Sequence, residues 1–360
     1  MARPLTAGER HSIEATLFKA ITAGDRTPVQ TTVRRTKASR QTVQAIMRGL
    51  IAAGFVVATG RTNARRYAVN RRLLKEITVP LAGLEESELW RANFQSFFDV
   101  PGSTSQSLSL FAATEMINNA IDHSDGTMVS VEATRQGEFI RVTITDNGIG
   151  IFKRIQDHFH LVDIRHAVLD LTKGKLTTDP SRHSGMGIFF SSRACAQFAI
   201  FANGLMLTHF ASGRDFLFEA TESGVGTYVE MDFPLQSDMT LAQLFEQYSA
   251  DGSSGFDKTI IPLYLTEMGE EILVSRSQAK RVLARVDRFK EAYIDFTDIA
   301  LVGQAFADEI FRVFAAAHPD VRLTVTNANA DVQKMVLLAL VGLKEQSPSA
   351  QRARIVQSES

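Results

Sequence analysis

The 360-residue chain has almost no cysteine, the residue that forms disulfides and supplies the thiolates of many structural zinc sites. Its one cysteine, Cys195, excludes an intramolecular disulfide and a cysteine-based zinc site. It has no run of about 18 uninterrupted apolar residues. Its first 20 residues also lack the charged start, apolar middle and cleavage site of a signal peptide. These absences predict a protein of the reducing cytoplasm that has no membrane partner.

The net charge of −1 conceals two oppositely charged segments. Residues 1–80 hold 15 Lys plus Arg against 4 Asp plus Glu, a surplus of +11. Residues 81–360 hold 24 against 36, which leaves −12. Because a strongly basic segment attracts polyanions, the N-terminal part is expected to contact one while the remainder does other work.

The N-terminal segment has the pattern of three helices followed by a β-hairpin. Helices are predicted over residues 12–23 and, after a short turn, over residues 28–36. Ser39 is a good N-cap for a third helix, which is expected to end at Gly54. Two short strand patterns around a polar turn follow in residues 55–69.

This order of elements resembles a winged helix-turn-helix domain over about 60 residues. The resemblance implies that the third helix enters the major groove of DNA, where Arg and Gln read base edges, and that the arginines of the hairpin hold phosphates. The candidate DNA-binding residues are Arg40, Gln41, Gln44, Arg48, Arg61, Arg65 and Arg66. Two other interpretations stay open, namely a winged domain that contacts protein and a basic face that is only solvated.

The stretch TEMINNAIDHSDG, residues 114–126, lines up charged and amide side chains beside a core-facing stripe. The stripe recurs at helical spacing and consists of Met116, Ile117, Ala120 and Ile121. Glu115, Asn119 and Asp122 stand at i, i+4 and i+7 and therefore share a second face of the helix. Taken alone, such a face is expected to be merely solvated.

Three glycine-containing motifs follow this helix in order. D-N-G-I-G begins at Asp146 at the end of a predicted strand, G-M-G spans residues 185–187, and G-T stands at residues 226–227. Together with E-x-x-x-N at residues 115–119, these motifs resemble a GHKL ATPase domain over residues 80–236. This fold is shared by type II topoisomerases, MutL mismatch-repair proteins, heat-shock chaperones, histidine kinases and anti-sigma-factor serine kinases.

The resemblance implies a site for ATP and Mg²⁺. Asp146 would accept a hydrogen bond from the amine of adenine, and would reject guanine because two acceptors would then face each other. Thr227 would help to hold the adenine pocket, while Gly148 and Gly150 would let the backbone approach the nucleotide. A plain strand-ending turn is the other interpretation of D-N-G.

The resemblance also assigns residues to the phosphates and the metal. Gly185, Met186 and Gly187 would lie against the phosphates, and the helix after them would offer free N–H groups to the anion. Asn119 would bind Mg²⁺ through its side-chain oxygen. Glu115, one turn earlier, would orient a water or a hydroxyl for attack on the γ-phosphate.

Other residues near these motifs are also candidates for the site. Asp122 matches an acidic position that lies near the adenine side in several families of the fold. His123 is either a structural or a catalytic residue. Residues 152–184 are expected to form a lid over the phosphates. The basic residues of this lid, which could equally face solvent, are Lys173, Lys175 and Arg182.

DGSSG at residues 251–255 is typical of a linker, and strand and helix patterns then alternate over residues 257–345. This alternation resembles a STAS-like domain, the family of anti-sigma-factor antagonists. The polar tail, residues 346–360, is predicted to be disordered.

A GHKL domain beside a STAS-like domain raises the alternative of a protein serine/threonine kinase that acts in partner switching. Antagonists of this family are phosphorylated on a serine that opens the helix after the central strand. Where they carry an acid and two serines, this chain has Gly303, Gln304 and Ala305. Ala305 has no hydroxyl and cannot be phosphorylated, although Thr297 remains open.

The sequence thus predicts an α/β multidomain protein. Its expected parts are a winged helix-turn-helix at 1–75, a GHKL α/β sandwich at 80–236, a helix and linker at 237–256, and a STAS-like domain at 257–345. The leading interpretation is a cytoplasmic regulator in which ATP and Mg²⁺ change DNA binding. An ATP-dependent homodimer and a protein partner of the STAS-like domain are further expectations. A serine/threonine kinase, a sensor histidine kinase and an inactive nucleotide sensor are the alternatives.

Overall fold

The computed structural model describes most of the chain. The described residues are 7–52, 55–60, 65–179, 183–211, 213, 215–219, 224–250, 255–266, 272–346 and 354–355. Three separate hydrophobic cores divide them into an N-terminal, a middle and a C-terminal domain. No helix in this part of the chain has both the length and the apolar character needed to cross a membrane.

The N-terminal domain consists of three helices and a two-stranded antiparallel sheet. Its elements are α1 (Ala7–Thr22), α2 (Pro28–Thr36), α3 (Arg40–Ala52), β1 (Val56–Thr59) and β2 (Arg66–Val69). Helix α3 begins where the side chain of Ser39 accepts a hydrogen bond from the N–H of Thr42. Leu17 of α1 and Val43 of α3 are fully buried in the core of this domain.

Six of the seven candidate DNA-binding side chains can be placed, and all six are exposed. They are Arg40, Gln41, Gln44, Arg48, Arg65 and Arg66. Arg61 lies outside the described residues. An exposed basic face is compatible with DNA contact and with simple solvation, so DNA binding stays a prediction.

The middle domain is an antiparallel sheet of seven described strands with helices packed on it. The strand order is β3-β4-β5-β9-β6-β7-β8. The strands are β3 (Arg71–Pro80), β4 (Met128–Gln136), β5 (Phe139–Asp146), β6 (Gln197–Ala202), β7 (Leu205–Phe210), β8 (Asp215–Glu219) and β9 (Thr227–Pro234). The helices are α4 (Glu86–Asn93), α5 (Ser105–His123), α6 (Ile151–Phe159), α7 (Arg165–Lys173), α8 (Gly187–Arg193) and α9 (Leu241–Glu246).

Alternating side chains of the central strands explain why the helices cover one face of this sheet. Val129 and Val131 of β4 and Val142 of β5 are completely buried. The core also holds the single tryptophan, Trp90, whose ring stacks on Phe94 with centroids 5.3 Å apart. This layered arrangement leaves the ends of β5 and β9 as the base of the site described below.

The boundary between the first two domains differs from the predicted one. All of β3, Arg71 to Pro80, pairs antiparallel with β4 and forms an edge of the middle sheet. Residues 71–75, which the sequence assigned to the N-terminal domain, therefore belong to the middle sheet. A single residue, Asn70, separates β3 from the hairpin strand β2.

The C-terminal domain is a parallel sheet flanked by helices, in the order β10-β11-β12-β13. Its strands and helices are β10 (Lys258–Pro262), α10 (Arg276–Val282), β11 (Glu291–Asp295), α11 (Gln304–Asp308), α12 (Ala315–Ala317), β12 (Arg322–Thr326), α13 (Ala330–Gln346) and β13 (Arg354–Ile355). A π-helical turn, Glu309–Phe314, joins α11 to α12. Helix α10 is capped by Ser275, which forms a capping box with Gln278.

Two predictions about the connecting segments are corrected. Arg354 and Ile355 pair with β12, so the tail after Gln346 is not disordered throughout; the short strand satisfies a sheet edge that would otherwise be open. Phe256, which the sequence placed in the linker, is buried between the rings of Phe189 and Phe289. The end of this connection is therefore packed against both neighbouring domains.

Candidate functional site

A cavity of about 300 Å³ lies in the middle domain, between α5, the ends of β5 and β9, helix α6, and the start of α8 with the segment before it. This volume is at the lower end of the range of roughly 300–1,000 Å³ that is usual for small-molecule sites. One part of the wall is apolar and includes Ile144, Ile151, Ile155, Ile200 and Val229. The polar part includes Glu115, Asn119, His123, Asp146, His183 and Thr227. An apolar slot beside polar groups suits a flat base that is joined to a charged chain.

Asp146 is the buried carboxylate at the base of the cavity, with 7% of its surface exposed. Its Oδ1 accepts hydrogen bonds from the N–H groups of Gly148 at 2.8 Å and Thr227 at 3.2 Å. Burial raises the pKa of Asp146, while these hydrogen bonds oppose the increase. Both backbone donors use Oδ1, and the hydroxyl of Thr227 also donates to this carboxylate.

The glycines around Asp146 are required by protein contacts. Gly226 has a φ of +82°, and a Cβ there would overlap the carbonyl of Asp146. A Cβ at Gly148 would overlap the carbonyl of Ser124 at the end of α5. These contacts hold the strand ends and α5 together. They explain why glycine is required at positions 148 and 226 even if neither residue contacts a ligand.

Glu115 and Gly187 are the closest point between α5 and the glycine motif. A Cβ at Gly187, the first residue of α8, would overlap the carboxylate of Glu115. Burial raises the pKa of Glu115, the neighbouring His183 lowers it, and Glu86 raises it further. The arrangement therefore places a proton acceptor directly beside the backbone of the glycine motif.

Asn119 has the position and the chemistry expected of a magnesium ligand. It lines the cavity one helical turn after Glu115. Its side-chain oxygen makes no hydrogen bond within the described part of the chain, and its amide nitrogen lies 4.0 Å from the sulfur of Met116. Mg²⁺ is usually held by one or two protein oxygens together with substrate phosphates and water, so a single amide oxygen fits such an ion.

Two family models match parts of the chain. Residues 110–237 match the histidine kinase-, DNA gyrase B- and HSP90-like ATPases, and residues 278–333 match a STAS-like domain of unknown function. The middle domain is a GHKL ATPase domain. The chain thus carries an ATP-binding domain of a family whose members hydrolyse ATP or transfer its phosphate, followed by a STAS-like domain. A search of curated proteins gave no match to the chain.

The GHKL domain brings together six of the ten residues predicted for nucleotide, metal and catalysis. Those in the cavity wall are Glu115, Asn119, Asp146, Gly185, Gly187 and Thr227. The four that do not line the cavity are Asp122, Gly148, Gly150 and Met186. Gly150, with a φ of +86°, packs against the side chain of Asn203, and Met186 packs against the hydrophobic core. The roles predicted for the six residues in the wall stay predictions.

Histidines connect α5 of the GHKL domain to the predicted lid. The Nε2 atom of His183 lies 3.1 Å from Asp122 Oδ2, within range for an ion pair when the imidazole is protonated. The rings of His183 and His123 meet edge to face with centroids 4.8 Å apart, and His123 Nδ1 lies 3.3 Å from the hydroxyl of Thr178. Burial lowers the pKa of His123, and so does the neighbouring His183. Asp122 is therefore linked through His183 to the segment just before the glycine motif.

The predicted role of two lid lysines is wrong. Lys173 is 2% exposed, and its Nζ donates to the backbone oxygens of Val282 and Ala284 in the C-terminal domain. Lys175 donates to the backbone oxygen of Arg288. Both side chains therefore contact the STAS-like domain instead of facing the cavity. The third basic residue, Arg182, lies outside the described residues.

Sequence reasoning missed His183 and Arg154, which also line the cavity. His183 stands two residues before Gly185, and an ionisable residue so near the glycine motif could have identified it as a cavity residue. Arg154 is paired with Asp125 in the loop after α5. Nothing in the sequence indicates that pair, because its two members are 29 positions apart.

Asp146→Asn is expected to weaken adenine-nucleotide binding about tenfold or more. If the amide oxygen keeps the two backbone donors, the NH₂ group stands where the adenine amine needs an acceptor, and a hydrogen bond to a charged group is worth about 1.5–3 kcal/mol. Titration with a fluorescent adenine nucleotide measures the effect. Asp215→Asn is the control, since Asp215 of β8 is equally buried but pairs with His209 of β7, away from the cavity. Unchanged affinity in Asp146→Asn would contradict the adenine assignment.

Gly187→Ala is expected to lower turnover strongly while the fold stays intact. The new Cβ meets the end of a flexible side chain, so Glu115 moves aside and the backbone is not forced to. Phosphate release and thermal unfolding should be measured together. Gly49→Ala, on the open surface of α3, adds the same methyl group where no atom lies within 4 Å. Full activity in Gly187→Ala would show that the position of Glu115 is unimportant.

Proposed function

We propose that the protein is a Mg²⁺-dependent ATPase whose nucleotide state is transmitted to a DNA-binding N-terminal domain. The observation that carries this proposal is the continuity of the backbone between the two domains. Strand β2 of the hairpin ends at Val69, and β3 of the ATPase sheet begins at Arg71. Because only Asn70 lies between these two strands, a shift of the sheet edge would also displace the hairpin.

Contacts on both sides of Asn70 support a stiff connection. The N–H of Asn70 donates to the carbonyl of Phe55, which precedes β1. The ring of Phe55 stacks on Phe139 at the start of β5, with centroids 5.5 Å apart. Strand β5 ends at Asp146 in the base of the cavity. The hairpin and the nucleotide site are thus linked to the two ends of one strand.

The charge distribution supports DNA as the ligand of the N-terminal domain. The surplus of +11 in residues 1–80 is concentrated in a segment whose described candidate side chains are exposed. Arginine and glutamine on α3 are side chains that pair with base edges, and arginines near the hairpin suit phosphates. A protein-binding winged domain would not need so large a positive charge.

Hydrolysis at the proposed site would use the residues on one face of α5. Glu115, with its raised pKa, would accept a proton from the attacking water and orient it. Asn119 would hold Mg²⁺, which when bound neutralises charge on the phosphates. The close contact between Glu115 and Gly187 would keep the acid in place.

A serine/threonine kinase is the second candidate, because a STAS-like domain follows the ATPase domain in the same chain. The usual acceptor position is occupied by Ala305. The hydroxyl of Thr297 donates to Asp295 at 2.7 Å, at the end of β11. Incubation with ATP labelled on its γ-phosphate separates the candidates, since label on protein supports the kinase and free phosphate supports the ATPase.

Glu115→Gln should slow ATP hydrolysis about 100-fold or more, because general base catalysis typically contributes a factor of about 10² to 10⁴. ATP binding should stay intact. The folded chain holds the Glu115 proton more tightly than the unfolded chain does. Ionisation at neutral pH therefore costs stability, and stability from this group increases as the pH falls through the raised pKa. We expect the variant to be at least as heat-stable as the parent at neutral pH. Retained turnover would rule out Glu115 as the base.

Insertion of Gly-Gly-Ser after Asn70 is expected to leave ATP binding and DNA binding each intact and to remove the effect of one on the other. DNA affinity with and without a non-hydrolysable ATP analogue is the measurement. The same insertion after Gly83, in an exposed turn of the ATPase domain, is the control. If the DNA affinity of the parent protein were the same with and without the ATP analogue, the coupling would be disproved.

A further inference from the structure

A buried network of charges fixes the C-terminal domain to helix α7 of the ATPase domain. Asp170 and Lys173 of α7 are 4% and 2% exposed, and Lys173 Nζ lies 2.7 Å from Asp170 Oδ1. Asp170 also pairs with Arg285 of the C-terminal domain. Lys173 Nζ donates to the oxygens of Val282 and Ala284 at 3.1 and 2.9 Å. Because buried charges persist only when paired and hydrogen-bonded, this network fixes the position of α7.

Further contacts extend the same interface along the chain. Leu169 of α7 is buried within the hydrophobic core of the C-terminal domain. The hydroxyl of Thr259 in β10 donates to the backbone oxygen of Lys173 at 2.7 Å. Lys175 and Arg288 exchange hydrogen bonds, each side chain donating to the other's backbone oxygen, at 2.6 and 3.1 Å. The C-terminal domain therefore holds α7 and the residues directly after it.

The segment after α7, residues 174–179, forms part of the cavity wall and is called here the wall segment. Leu176, Thr177 and Thr178 line the cavity. The N–H of Leu176 donates to the oxygen of Gly185 at 3.2 Å, so the wall segment is joined to the glycine motif. Only one residue, Gly174, separates Lys173 from Lys175, and both are held by the C-terminal domain.

The interface also contains empty space. A second cavity of about 210 Å³ lies between α7 and the C-terminal domain. Its wall includes His166 and Leu169 from α7 and Arg281 and Val282 from α10. This part of the interface is therefore less closely packed than a protein interior.

We propose that the C-terminal domain is a regulatory part of the nucleotide site. By holding α7 through Asp170, Lys173 and Arg285, it keeps the wall segment in the position that retains bound nucleotide. A change in the docking of this domain then changes nucleotide affinity, which is coupling between two distant sites. The proposal rests on the proposed nucleotide binding by the GHKL domain.

Arg285→Ala in the full chain tests the proposal. We expect the dissociation constant of a fluorescent, non-hydrolysable ATP analogue with Mg²⁺ to rise about tenfold, mainly through faster dissociation. Amide hydrogen exchange in α7 and the wall segment should accelerate at the same time. Arg288→Ala removes only an exposed contact of the interface and should raise the dissociation constant by a smaller factor. This second variant keeps the proposal testable if Arg285→Ala does not fold.

Arg312→Ala is the matched control. Arg312 is also partly buried and pairs with Asp308 inside the C-terminal domain. Its loss should leave the dissociation constant unchanged. Unchanged or tighter binding in a folded Arg285→Ala or Arg288→Ala variant would overturn the proposal. Failure of the parent protein to bind any adenine nucleotide would instead overturn the proposed function.

Discussion

The close packing of α5 against the first residue of α8 is the constraint on which the predicted site depends. Glu115 and Gly187 approach so closely that a Cβ at residue 187 would overlap the carboxylate of Glu115. Because Asn119 follows one turn later on the same helix, this contact also sets the position of the predicted metal ligand. Asp146 is held separately, by the turn after β5 and the start of β9. The cavity lies between the Glu115–Asn119 face of α5 and Asp146.

The parts of the site that lie within one element were readable from the sequence. Glu115 and Asn119 share a face because of helical spacing, and Asp146 ends a strand that alternates clearly. The roles of the glycines could not be derived in the same way. Gly148 and Gly187 are needed because a second element passes beside each of them, and that approach is a tertiary property. Family resemblance supplied the positions of these glycines without the protein contacts that require them.

The same limit explains the differences in the fold. Helix α2 was predicted at residues 28–36 and is observed from Pro28 to Thr36. Strand β3 was missed because its partner, β4, lies about 50 positions further along, as the pair Ile77 and Val131 shows. The sequence places the lysines at 173 and 175 in a lid over the phosphates, or alternatively facing solvent. Their actual partners, backbone oxygens at 282, 284 and 288, come from a domain more than 100 positions away.

The dependence of α7 on a later domain has a consequence for how the protein is made. Domains generally fold as units in the order in which they leave the ribosome. The strands and helices that form the cavity end at Pro234, whereas Arg285 follows some 50 positions later. During synthesis, we therefore expect the ATPase domain to fold while Asp170 and Lys173 still lack the arginine and the backbone oxygens that they contact in the finished protein. Chain growth would then pass through a stage in which the nucleotide cavity has formed but the wall segment does not yet contact the C-terminal domain.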